Sequence, residues 1–144
     1  MVETIFAVGN VVILPFWGLM ILAPGWEWTR RIMRSPWVTA SPAVLYMLMF
    51  GALALGLGGG EPLDFAAFGS AAGVASLLGS PAGATVGWMH FLTFDLFVGR
   101  WAYLDSRERG LSPWLMGPIL FAILMAGPAG FLVYLGVTAS RRSV

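Results

Sequence analysis

The segment GWMHFLTFDLFVGRWAYLD, residues 87–105, combines a long apolar run with three ionisable side chains. His90, Asp95 and Arg100 are spaced five residues apart, so on a helix each points about 140° away from the last and lies about 7.5 Å further along the axis. Ionisable groups that face hydrocarbon cost at least about 2.5–3.5 kcal/mol each. Three ionisable side chains that point in three directions could face lipid only at a large cost in free energy. We therefore expect protein or a polar cavity to surround this helix.

The composition of the whole chain indicates that lipid is its solvent. Of its 144 residues, 58% are hydrophobic and 10% charged, and the mean hydropathy is +0.82. A soluble domain carries about a quarter of its residues as charged side chains. The sequence therefore predicts an all-α, polytopic membrane helical bundle. A formal charge of +1 supplies no basic field, so nucleic acid is not expected as a partner.

Cys and Lys are missing from the chain and His occurs once, which limits the metal and cofactor chemistry that it can support. There is no Cys, which excludes disulfides, thiolate metal sites, iron–sulfur clusters and c-type haem attachment. There is no Lys for a retinal Schiff base. With His90 as the single histidine, a bis-histidine haem or a multi-histidine metal site would have to form between subunits. We therefore predict no metal and no cofactor.

Hydropathy divides the chain into four transmembrane helices within a single membrane domain, residues 1–144. A short interfacial helix is predicted between the second and third spans, with a fifth span as the competing interpretation. Pro15 and Pro128 predict kinks, and Asn10 is a candidate polar partner near the first. The expected spans are about 5–23, 38–58, 82–104 and 114–137, with the interfacial segment at about 62–80.

The flanks of the spans predict orientation and packing. Glu3 precedes the first span and the arginines 30, 31 and 34 follow it, as in an anchor whose N-terminus lies outside. Six of the seven Trp residues fall near span ends, where interfacial rings are common. Small residues repeat every four positions, for example at Ala122, Ala126 and Gly130, which is compatible with close helix packing and with a homo-oligomer.

The ionisable residues of the opening segment have a structural and a functional interpretation. In the structural interpretation, Asp95 and Arg100 neutralise each other, or the Arg100 side chain reaches the membrane–water interface. These contacts then serve only to stabilise the helical bundle. In the functional one, Asp95 and His90 do chemistry, because a buried acid near a histidine is a costly way to hold four helices together. Trp88 and Gly99 lie close to the direction of Asp95, and a small residue there leaves room for a ligand.

Two motifs resemble those of a known family. The first comprises Trp88, His90, the run Asp95-Leu96-Phe97, and Arg100. The second is LPFWGLMILAP, residues 14–24, which includes Trp17. Both are similar to a family of small membrane proteins that includes the abscisic-acid-deficient protein of plants required for neoxanthin formation. The all-Arg composition and the missing transit peptide resemble a bacterial-type member, and imply the bacterial inner membrane.

That resemblance implies a xanthophyll lying among the helices and an isomerisation that opens an epoxide to an allene. It implies Asp95 as the acid at the epoxide oxygen and His90 as the base at the polyene carbon. The residues expected to bind substrate or support the site are Trp88, Phe97, Gly99, Arg100, Asn10 and Trp17. Two alternatives remain: a non-catalytic pigment-binding or membrane assembly protein, and a transporter subunit, which the lack of a repeat disfavours.

Overall fold

The computed structural model describes residues 2–57 and 62–140. These residues form helices and turns and contain no strand, so the predicted all-α class is confirmed for them. In chain order the elements are α1 (Val2–Leu22), α2 (Glu27–Arg34), α3 (Trp37–Ala54), a 3₁₀ helix (Phe65–Gly69), α4 (Ala71–Gly79), α5 (Pro81–Glu108) and α6 (Pro113–Ser140).

Among the described residues, three helices are long and apolar enough to cross a membrane, which supports a membrane protein. They are Glu3–Leu22, Trp37–Ala54 and Pro113–Ser140. The prediction of four spans is therefore wrong by this measure. The third predicted span, 82–104, does lie within α5, but His90, Asp95 and Arg100 lower its apolar character, and it is not one of the three.

Residues 62–80 form two short elements where a single interfacial helix was predicted. The Asp64 carboxylate accepts a hydrogen bond of 2.9 Å from the backbone of Ala66 and caps the 3₁₀ helix. The Ser70 hydroxyl accepts one of 3.0 Å from Gly73 and caps α4. A helix of nine residues extends only about 14 Å, well short of the ~30 Å hydrocarbon layer. The fifth-span interpretation therefore does not fit.

The end of the second predicted span differs from the expectation. Helix α3 ends at Ala54 and a turn follows, in which Gly56 adopts a positive φ of 66°. This left-handed conformation costs glycine little. The predicted end at Gly58 and the glycine run after it lie outside the described residues.

Helix α2 was not predicted. Its sequence EWTRRIMR places Thr29 and Met33 four residues apart on one buried face, and both are 0% exposed. The hydroxyl of Thr29 donates a hydrogen bond of 2.8 Å to the backbone oxygen of Ala23 at the end of α1. This bond ties the start of α2 to the preceding turn.

Helix α6 is interrupted where a kink was predicted. Ala126 has φ −152° and ψ 64°, far from helical values, two residues before Pro128. Proline has no N–H for the helix ladder and its ring collides with the preceding turn, so the backbone must open there. The kink expected at Pro128 is confirmed.

The described chain groups into two compact units, which we treat separately. The first unit comprises Met1–Val12 and Ala40–Thr93, and the second comprises Ile13–Thr39 and Phe94–Val144. In the first unit Met89 is fully buried, and Gly9 leaves room for its sulfur. The second unit buries the large side chains Trp17, Met20, Tyr103, Leu120 and Tyr134.

Candidate functional site

The first unit contains an apolar pocket with a volume of about 240 Å³. Helices α3, α4 and α5, together with the 3₁₀ helix and the residues before it, contribute its walls. Its polar side chains are Tyr46 and His90, and the other lining side chains are apolar. The lining residues are Tyr46, Phe50, Leu53, Leu63, Phe68, Leu77, Leu78, Gly83, Val86, Gly87, His90 and Phe91.

An aromatic row runs along this pocket; it consists of His90, Tyr46, Phe50, Phe65 and Phe68. The His90 ring meets the Tyr46 ring edge-on at a centroid distance of 5.6 Å. The row continues from Tyr46 to Phe50 at 5.8 Å, and from Phe50 through Phe65 to Phe68 at 6.3 Å for each step. Such distances are normal for interacting aromatic pairs. The row forms because Tyr46 and Phe50 are four residues apart on α3 and share one face.

A second cavity, of about 530 Å³, lies beside the pocket within the same unit. It shares Leu53, Leu63 and Leu77 with the pocket. Its other walls are more polar and include Asp64, Ser70, Ser76 and Ser80. The first unit therefore places an aromatic, apolar cavity next to one rich in hydroxyl groups, a pairing suited to a long apolar ligand with a polar end.

Asn10 and Trp88 contact each other in the first unit. The indole Nε1 of Trp88 donates a hydrogen bond of 3.1 Å to Oδ1 of Asn10, and Nδ2 of Asn10 donates one of 2.7 Å to the backbone oxygen of Phe6. The Trp88 ring also lies 6.1 Å from the ring of Phe6. These contacts join α1 to α5, so both residues hold the walls of the first unit together.

Asp95 lies in the second unit, half-buried against α6. A Cβ atom built on Gly127 would overlap Oδ1 of Asp95 and lie 2.9 Å from its Cγ. The carboxylate therefore occupies space that only glycine leaves open, beside the backbone break at Ala126. His90 lines the pocket of the first unit and Asp95 does not. Their joint action on one substrate stays a prediction.

Gly99 and Trp17 form a tight contact in the second unit. Trp17 is 1% exposed, and a Cβ on Gly99 would overlap its ring and lie 2.7 Å from Cζ3. The indole Nε1 of Trp17 is buried without a hydrogen-bond partner among the described residues. Phe97, two positions before Gly99, is 49% exposed. Trp17 and Gly99 therefore pack together, while Phe97 faces outward.

Arg100 bonds to backbone oxygens at the end of α2. Its Nε donates a hydrogen bond of 2.5 Å to the carbonyl of Met33, and its Nη2 donates one of 3.2 Å to the carbonyl of Arg34. No ion pair between Arg100 and Asp95 occurs within residues 2–57 and 62–140. The contacts favour the structural interpretation of Arg100: it satisfies carbonyls that a helix end leaves without partners.

Asp105 is held by two side chains at the end of α5. Nε of Arg109 lies 2.6 Å from its Oδ2, and the hydroxyl of Tyr134 on α6 donates a hydrogen bond to the same oxygen. The hydrogen bond to the Asp105 carboxylate raises the pKa of Arg109. Asp105 thus links the end of α5 to α6.

Comparison with known proteins finds a family match over the part of the chain that contains both motifs. The sequence profile described as ABA DEFICIENT 4-like matches residues 4–134, nearly the whole described chain. The chain belongs to the ABA DEFICIENT 4-like family. It is 31% identical over 114 residues to the Arabidopsis thaliana protein named ABA DEFICIENT 4, chloroplastic. That alignment covers 74% of this chain and 49% of the relative, so the chain spans about half the length of the curated relative it matches.

Membership of the ABA DEFICIENT 4-like family supports a function related to that of the plant protein. No solved structure matches the chain. The match begins in α1 and ends in α6 at Tyr134, so it includes the residues of both units that are described above. Tyr46, Phe50, Phe65 and Phe68 were missed by the sequence reasoning. The four-residue spacing of Tyr46 and Phe50 was the available signal.

Proposed function

We propose that this protein binds a carotenoid or xanthophyll in the membrane and rearranges it, with the aromatic pocket of the first unit receiving one end of the ligand. The observation that carries the proposal is the aromatic row, which begins at His90 and continues along the pocket. Small-molecule pockets are commonly about 300–1,000 Å³. A pocket of about 240 Å³ therefore suits the end ring of a long ligand and not the whole molecule.

His90 is the base in this proposal, and Tyr46 positions its ring. In the isomerisation implied by the family resemblance, a proton leaves a polyene carbon for His90, the epoxide C–O bond breaks, and the oxygen takes up a proton. Product and substrate contain the same atoms, so no oxidant or co-reactant is required. Asp95 is the proposed proton donor, on the strength of its place in the shared motif.

Replacing His90 separates binding from chemistry. We expect His90→Phe to keep bound pigment, because the aromatic row stays apolar and continuous, while conversion of an epoxy-xanthophyll falls by 10²-fold or more, about the lower end of general-base contributions. The protein is purified from a carotenoid-producing host, its pigment is extracted and identified, and conversion is followed in liposomes. Asp95→Asn in the same assay tests the proton donor.

Phe121→Ala is the matched control for these variants. Phe121 is an aromatic residue of α6, 55% exposed, that does not line the pocket. It should leave pigment and conversion unchanged, whereas Phe50→Ala should lower bound pigment. If Phe50→Ala and Tyr46→Ala both bind as much pigment as the wild type, the pocket is not the pigment's binding site.

The second candidate is a non-catalytic pigment-binding or membrane assembly protein. The pocket is sufficient to support this candidate. The aromatic row and the neighbouring hydroxyl groups would hold a hydroxylated ligand without any reaction. Bound pigment in the wild type, with no product under any condition, would select it. A homo-oligomer is compatible with both candidates.

We further propose that the N-terminus lies outside a bacterial inner membrane. The support is Glu3 in the first turn of α1 and the three arginines in α2 after it. Because the chain has no Cys, a single introduced cysteine gives a clean topology probe. In intact cells, Glu3→Cys should react with a membrane-impermeant maleimide and Arg31→Cys should not. The reverse pattern would overturn the orientation.

A further inference from the structure

A small pocket in the second unit lies between α2 and the end of α5. We call it the arginine pocket; it is lined by Arg30, Arg34, Leu104, Arg107 and Glu108 and has a volume of about 140 Å³. This is the volume of about four or five water molecules. It accommodates a phosphate group with its nearest linking atoms.

The charges around the arginine pocket are unbalanced. Three guanidinium groups line it and Glu108 supplies its one carboxylate. Nε of Arg107 is buried and has no hydrogen-bond partner among the described residues. The nearby carboxylate of Asp105 is bonded by Arg109 and Tyr134. Arg30 and Arg34 are exposed and Arg107 is half-buried, so only the Nε of Arg107 is withdrawn from water. A buried donor without an acceptor costs free energy, so an anion that accepts from this Nε would be stabilised.

The arginine pocket is formed by the fold before any ligand binds. Arg100 donates hydrogen bonds to the carbonyls of Met33 and Arg34, which fixes the end of α2 beside α5. Met33 and Thr29 are fully buried on the inner face of α2. The backbone of α2, which carries Arg30 and Arg34, is therefore fixed beside Arg107 before an anion binds, which lowers the ordering cost of binding.

The outer face of α2 has the composition of a membrane–water interface. Trp28 is 53% exposed, the adjoining Trp26 is 54% exposed, and Trp37 at the start of α3 is 72% exposed. The guanidinium carbon of Arg31 lies 5.2 Å from the centre of the Trp28 ring, a cation–π contact. Tryptophan rings prefer the depth of lipid headgroups, where phosphate is abundant.

We propose that the arginine pocket binds the phosphate of an anionic phospholipid headgroup. Guanidinium groups match phosphate oxygens with paired hydrogen bonds, and basic pockets between membrane helices bind anionic headgroups. Free phosphate offers the same chemistry. The exposed tryptophans around α2 favour the lipid, because they place the pocket at headgroup depth.

The test compares lipid binding by the full chain and its variants in detergent. Short-chain phosphatidylglycerol should raise the unfolding temperature and remain attached in native mass spectrometry, whereas phosphatidylcholine should do neither. Arg107→Gln should weaken phosphatidylglycerol binding roughly five-fold, the effect of one arginine at an anionic surface. Glu108→Gln should strengthen it, and this gain cannot be produced by misfolding.

Arg31→Gln is the matched control, since Arg31 is on α2 but does not line the pocket. It should change phosphatidylglycerol binding much less than Arg107→Gln does. Equal losses in the two variants, or no gain from Glu108→Gln, would overturn the site in favour of general surface charge. Inorganic phosphate that stabilises the protein as strongly as the lipid, at equal concentration, would overturn the lipid as the source of the phosphate.

Discussion

Gly99→Ala is expected to lower the free energy of unfolding by about 1–3 kcal/mol, the usual cost of overpacking a filled core. The new methyl group would overlap the Trp17 ring, with Cζ3 2.7 Å and Cζ2 3.1 Å away. Trp17 is 1% exposed and is a rigid, planar side chain, so the ring cannot move aside into solvent. The measurement is an unfolding titration in mixed detergent micelles, followed by tryptophan fluorescence.

Gly136→Ala provides the matched control for this substitution. Gly136 is also a helical glycine of the second unit, but nothing lies within 4 Å of a Cβ built there. Alanine at this position should leave stability unchanged or raise it slightly, because glycine loses more backbone freedom on folding. If the two variants are equally stable, Gly99 does not owe its identity to the contact with Trp17.

The long apolar helices were readable from the sequence because length and apolarity act locally. The first and fourth predicted spans, 5–23 and 114–137, correspond to α1 and α6 within a few residues. Pro128 predicted the break in α6 because proline removes one helix hydrogen bond and its ring clashes with the preceding turn. Pro15, where a kink was also predicted, lies inside α1, which runs from Val2 to Leu22. These features depend on the chain alone and not on what it packs against.

Helix α2 was missed because it has only eight residues and is rich in arginine. Its arginines were used as markers of orientation, and its two buried residues, Thr29 and Met33, are too few to produce a recognisable apolar repeat. The helix is held by tertiary contacts, above all by the hydrogen bonds from Arg100. Such contacts, between residues 66 or 67 positions apart, leave no local signal.

The candidate site was predictable only in part for the same reason. His90 stood out as the single histidine in an apolar segment, and it does line the pocket. Phe65 and Phe68 looked like ordinary residues of a weakly amphipathic segment, because their value comes from contacts with α3. Likewise, the position of Asp95 depends on the space that Gly127 leaves beside the interrupted backbone of α6. The spacing of residues within 87–105 contains no information about that contact.

Arg100→Lys is expected to destabilise the second unit by about 1.5–3 kcal/mol although the charge is kept. Lysine has one ammonium group on a flexible stem and cannot reproduce the fixed fork with which Arg100 contacts the carbonyls of Met33 and Arg34. The end of α2 should then fray. Hydrogen exchange of the α2 amides measures this directly, and it should rise there before it rises in α6.

Arg31→Lys is the corresponding control, because the Arg31 side chain is on the exposed face of α2 and contacts the Trp28 ring. Its amide exchange should match that of the wild type. Arg100→Lys should also weaken phosphatidylglycerol binding, although Arg100 does not line the arginine pocket, because Arg30 and Arg34 would lose their fixed position beside Arg107. If α2 stays fully protected in Arg100→Lys, charge alone anchors the helix and the backbone hydrogen bonds are dispensable.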